Sequence, residues 1–127
     1  MAKSIFFIAA LVYTGIITYL SLINLAYTPV KNFGMSDKAM HAGAYFGMAF
    51  LWLIFYHFAA PDVRLIKKIL IICIFSIIFG IFIEVLQAVL TSYREPDLYD
   101  ILANSTGAIF AGLFVWLFKE QLNQVKV

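Results

Sequence analysis

The sequence predicts an all-α integral membrane protein: a four-helix bundle with its N- and C-termini on the cytoplasmic side. Three observations lead there. Hydrophobic residues make up 64% of the 127-residue chain and charged residues 13%, against roughly 45–50% and about 25% in a soluble globular domain. A water-soluble domain of this length has too little interior to hide so much apolar surface. The apolar residues also fall into four stretches, each near the roughly 20 residues a helix needs to cross a bilayer core. Finally, the few polar residues inside those stretches recur at helical spacing. The length bounds the chain to one domain, residues 1–127. A net charge of +2 provides no basic patch, so no nucleic-acid partner is expected. Phe 13, Tyr 7 and Trp 2 suit lipid contact and interfacial belts, which makes membrane lipids the expected surroundings and partners. One cysteine forms no internal disulfide.

The first span is expected over residues 5–25. Lys3 precedes it, as in a signal peptide, but the apolar run exceeds an h-region of about 7–15 residues and no Ala-x-Ala site follows, so it reads as a retained helix. The second covers 39–60, with Ser36 and Asp37 where an N-cap belongs and Pro61 ending it. The third, 69–90, is the most apolar. The fourth, 101–118, is the shortest, and the polar segment 91–100 with Pro96 precedes it.

Four crossings put both termini on the same side as the loop between spans two and three. Lys3, Arg64, Lys67, Lys68, Lys119 and Lys126 lie there; Lys31, Lys38 and Arg94 lie opposite. The positive-inside rule makes the richer side cytoplasmic. The chain is thus expected to be polytopic in the cytoplasmic (inner) membrane, with residues 27–38 and 91–100 facing outward.

Function is sought where polar groups stand in the membrane despite a cost of roughly 2.5–3.5 kcal/mol per central charge. Glu84 lies about 9 Å inside the outer end of span three at 1.5 Å per residue. Gln87, three residues on, shares its face, so the pair is expected to face other helices. On span two, Asp37, His41 and Tyr45 form one stripe. Asp97, Asp100 and Asn104 share a face if span four begins early, with Arg94 just before them. Span one adds a milder stripe of Thr14, Thr18 and Ser21. Four helices would then bring polar faces together at one depth, in the outer half of the bundle. His57 is expected to reach the headgroups at the inner end and Cys73 to serve packing. Gly43 and Gly47 make a Gly-x-x-x-Gly on span two, and Ala103, Gly107 and Ala111 a small-residue row on span four. Such rows let helices cross closely, which would bring His41 toward Asn104.

Asp37 and His41 have ligand-compatible spacing, but no dense metal motif such as His-Glu-x-x-His is present. Neither a metal nor another cofactor is expected. Ser36 and Ser105 lack a nucleophile-elbow context.

The run Ser36-Asp37-Lys38-Ala39-Met40-His41-Ala42-Gly43-Ala44-Tyr45 resembles the Asp-Lys-x-x-His-x-x-x-Tyr hallmark of the VanZ-like family. Glu84 and Gln87, then Arg94, Asp100, Asn104 and Gly107, are similar to the family's second hallmark. The resemblance spans roughly residues 36–112. It implies a small polytopic membrane protein of the cell envelope. It also implies a link to resistance against the lipoglycopeptide teicoplanin, without a settled biochemical activity. Motif positions Asp37, Lys38, His41, Tyr45, Glu84, Gln87, Arg94, Asp100 and Asn104 inherit interest as a binding site; Asp97 joins them from the loop reading.

Three functions stay open. The preferred one is binding or modification of an envelope lipid or lipid-linked cell-wall precursor headgroup, or of a lipoglycopeptide's lipid anchor. Here Lys38 and Arg94 would hold an anion, and Glu84, Gln87 and Asn104 would supply hydrogen bonds. The second is an intramembrane lipid-headgroup enzyme with His41 and Asp37 or Asp100 as general base and Glu84 as acid. The third is a structural, partner-binding protein.

Overall fold

Five helices account for the residues that the structure, a computed structural model, describes: 2–23, 37–90 and 97–125. Helix α1 spans Ala2–Leu22, α2 Asp37–Ala59, α3 Leu65–Leu90, α4 Leu98–Leu117 and α5 Lys119–Gln124. The first four are long and apolar enough to cross a membrane; no strand occurs among the described residues. The expected all-helical architecture with four apolar helices of membrane-spanning length is therefore present. Ser36 and Arg94 lie outside the described residues, so the N-cap reading for Ser36 and the site reading for Arg94 have no structural counterpart here.

The helix limits have local causes. Asp37 is the first residue of α2, where a carboxylate suits the positive end of the helix dipole. α2 stops at Ala59, ahead of Pro61 in the turn to α3. Helix α4 does begin early: Asp97, in extended conformation, is its N-cap, and its Oδ1 accepts the Tyr99 N–H at 2.8 Å. This early start puts Asp100 and Asn104 one turn apart on a single buried face. The short α5, which the apolar pattern does not signal, carries exposed polar residues beyond the membrane-length helices.

Helix α2 is the hub. It packs most extensively on α4, and also on α1 and α3. The α2–α4 seam is close because Gly107 has no side chain: a Cβ there would collide with the Ala42 carbonyl oxygen. The small-residue row on α4 thus works as expected. The row on α2 does not. Gly47 lies under the Tyr13 ring of α1, while a Cβ at Gly43 would meet nothing within 4 Å, so the two glycines do not form one crossing point. Ala49, Leu53, Ile72, Ala108, Ala111 and Val115 fill the core between α2, α3 and α4; Ile17, Tyr45 and Met48 fill a second between α1 and α2.

Helix α1 is fastened by polar tips as well as packing. Tyr13 Oη donates to the Ala44 carbonyl at 2.9 Å, and Trp52 Nε1 donates to Thr14 Oγ1 at 3.0 Å. Side chains such as Ile5, Val12, Leu70, Ile78, Leu102 and Leu113 point out of the bundle, the apolar exterior that lipid tails require.

Candidate functional site

Polar side chains gather at the end of the bundle where α2 and α4 begin and α3 finishes. Lys38, one residue into α2, reaches across to the start of α4. Its Nζ donates to Asp97 Oδ2 at 2.7 Å and to Asp100 Oδ1, with Asp37 Oδ2 at 3.6 Å. One turn along α2, the His41 ring turns the same way. Its Nδ1 lies 3.1 Å from Asn104 Oδ1, and its Nε2 lies 3.6 Å from both Asp37 Oδ1 and Asp100 Oδ2. The tight α2–α4 crossing at Gly107 therefore does bring His41 to Asn104.

Helix α3 supports this arrangement from below. Glu84 and Gln87 are 2% and 1% exposed and face the bundle, not lipid. Glu84 Oε2 accepts the Asp97 backbone N–H at 3.3 Å, tying α3 to the beginning of α4. Gln87 Nε2 donates to the Ser21 carbonyl at 2.6 Å, tying α3 to the end of α1. Tyr45, also buried, lies within electrostatic reach of Glu84.

The expectation for α1 needs correction. Thr14, Thr18 and Ser21 hydroxyls donate to the Ala10, Thr14 and Ile17 carbonyls of their own helix, because a hydroxyl in a helix has an acceptor one turn back. What α1 gives to the polar end is a backbone carbonyl. The side-chain cluster is built by α2, α3 and α4.

The polar end grades from water inward. Side-chain exposure is 55% at Asp37, 43% at Lys38 and 40% at Asp97, then 14% at His41 and 9% at Asp100. Asn104, Glu84 and Gln87 close the inner end. Among the described residues, Lys38 is the one lysine or arginine in contact with this group, and it faces three aspartates. Its ammonium, with the Tyr99 N–H, holds the Asp97 carboxyl below the usual carboxylate range. The expectation that Lys38 grips an anion thus meets a different geometry: its charge is already committed to carboxylates.

Gly80 is a contributor the sequence reading passed over. A Cβ there would sit 3.2 Å from Asn104 Nδ2 and 3.3 Å from the Tyr45 ring, so its bareness lets both side chains settle beside α3. The signal was available, since positions 80, 84 and 87 share one helical face. Elsewhere, Cys73 Sγ lies 3.5 Å from the Ala108 carbonyl in the α3–α4 seam, a packing position. His57 is half-buried near the α2–α3 turn, with its Nδ1 inside the bundle.

Comparison of the chain with family models, with curated proteins and with solved structures finds no match.

Proposed function

We propose that this polytopic protein sits in the cytoplasmic membrane, with its termini and the α2–α3 turn on the cytoplasmic side, and uses the polar end of the bundle to bind a lipid headgroup from the outer leaflet. The distribution of lysine and arginine between the two faces supports that orientation. The observation that carries the binding reading is the graded group Asp37, Lys38, Asp97, His41, Asp100, Asn104, which runs from exposed to buried at one end of the bundle. A cluster serving only to fasten helices has no need of an exposed, carboxylate-rich mouth. Intramembrane ionisable residues in general mark ligand paths or sites.

The charge balance selects the headgroup. Among the described residues, with Lys38 already paired, the mouth offers acceptors in excess of donors. It suits a headgroup bearing hydroxyl, amide or amine donors, the chemistry of a lipid-linked cell-wall precursor or an aminated lipid. Asp37, Lys38, His41, Asp100 and Asn104 of this mouth are also positions of the resemblance to the VanZ-like family, which keeps a link to envelope targets and lipoglycopeptides within the proposal.

The test is the lipid that accompanies the protein through purification in mild detergent, identified by mass spectrometry. One headgroup class should be enriched in the wild type over its share of the source membrane, and that enrichment should vanish in Asp100→Asn and Asn104→Ala. A lipid profile that mirrors the bulk membrane in all three proteins contradicts the reading.

A further inference from the structure

The two carboxylates nearest His41 divide their oxygens. Lys38 Nζ is turned to Asp100 Oδ1 and Asp37 Oδ2, whereas the other oxygen of each, Asp100 Oδ2 and Asp37 Oδ1, faces His41 Nε2 at 3.6 Å. At that separation neither contact is a hydrogen bond. A tetrahedral Zn2+ with bonds of about 2.0–2.2 Å, however, sets its ligands roughly 3.3–3.6 Å apart. One ligand atom from each of Asp37, His41 and Asp100 lies within 4.8 Å of the others, and Asp37, exposed at the start of α2, supplies the adjustment that closes the third edge.

The imidazole is oriented for the same task. Asn104 Oδ1 can accept from His41 Nδ1, and in the tautomer with the proton on Nδ1 the Nε2 lone pair faces two carboxylate oxygens. Nε2 and the two inner carboxylate oxygens converge, while Lys38 pairs the outer oxygens of the same carboxylates. Metal-bound histidines commonly have the other ring nitrogen donating to a second residue in this manner. Asn104 is buried and seated against Gly80, so it holds the ring in place. Lys38 does not block the position, because its ammonium lies on the other oxygens.

We propose that Asp37, His41 and Asp100 bind a divalent cation of the Zn2+ class. The ligand set, one imidazole and two carboxylates, is borderline in softness and fits Zn2+ better than Mg2+ or Ca2+, which take oxygen alone. Three protein ligands leave a tetrahedral ion one open position, available to water or to an oxygen of another molecule. This reverses the sequence expectation of no metal: the i, i+4 pair on α2 was visible, but its third ligand comes from α4. The inference stands on these ligand atoms and does not require that a headgroup be the occupant of the mouth.

Uptake of Zn2+ by chelator-stripped full-length protein in detergent, with no added lipid, tests it. The wild type should take up a single ion per chain with saturable affinity. Asp37→Asn, at an exposed position, and His41→Gln should each weaken binding by about tenfold or more, and Asn104→Ala by about tenfold. Co2+ in place of Zn2+ should give visible absorption bands of low-symmetry tetrahedral coordination that Asp37→Asn loses, while His57→Ala, at the opposite end, keeps them. Absence of stoichiometric uptake by the folded wild type overturns the proposal. So does uptake that Asp37→Asn and His41→Gln leave unchanged, which would mark an adventitious ion only. Ion uptake without headgroup enrichment, or the reverse, tells this inference apart from the lipid reading.

Discussion

The two ends of the bundle handle polar groups in opposite ways. At the α2–α3 turn, Lys68 is buried, donates to the His57 carbonyl at 3.3 Å and lies 5.9 Å from the Tyr56 ring centroid. Its partners belong to the helix that its own helix follows in the chain, so the contact closes a local hairpin. At the other end, Lys38 spans from α2 to α4 and meets aspartates about 60 residues away in sequence. There the polar groups face one another across helices, and among the described residues the carboxylates outnumber the lysine that pairs them. A buried charge with backbone and aromatic partners is an architectural device. A graded group with surplus acceptors is equipped to receive something.

The comparison depends on the α2–α4 seam, and its loss should give the largest effect. Gly107→Leu has to displace the Ala42 backbone, and overpacking of this kind typically costs about 1–3 kcal/mol or more. Thermal unfolding in detergent should show a large fall in Tm, together with loss of the polar end. Next come the two lysines. Lys38→Met leaves Asp97 and Asp100 without their shared partner and should lower the Tm modestly, as expected for partly exposed pairs. Lys68→Met replaces a buried cation by an apolar side chain of similar length and should be neutral or stabilising. Equal losses at both ends would erase the distinction drawn between them.

A smaller effect concerns pH. The Asp97 carboxyl titrates below its ordinary value because Lys38 and the Tyr99 N–H favour its charged form. Its contribution to stability is therefore complete above the unfolded value, about 3.9, and is lost as pH falls through the lower folded value. Lys38→Met should move the Asp97 titration, followed by NMR, upward toward the unperturbed range. The smallest effect is expected at Gly43. A Cβ there meets nothing, so Gly43→Ala should change stability by less than about 1 kcal/mol, in contrast to Gly107 on the facing helix.

The spans were legible because bilayer thickness sets a minimum apolar length that composition cannot disguise. The inward turn of Glu84 and Gln87 followed from the cost of showing a carboxylate to lipid, and the meeting of His41 with Asn104 from the small residues on α4. The sharing of Asp100 between Lys38 and His41 was not legible. Spacing reveals which residues of one helix share a face, whereas the oxygen each partner takes depends on the offset between two helices. For the same reason Thr14, Thr18 and Ser21 misled: their stripe is real, but each hydroxyl has a carbonyl of its own helix within reach. Gly80 was overlooked as a lone small residue, although it lies one turn before Glu84.

The most direct test of the central claim, that the polar end is a site and not merely a fastening, pairs two readings on Asp100→Asn. This change keeps the side chain's shape and an acceptor for Lys38. The Tm of the purified protein and its enrichment of one lipid headgroup class should be measured on the same sample. The expected result is a Tm close to that of the wild type with the enrichment gone. A Tm that collapses while the surviving folded protein still carries the same enriched lipid would contradict it.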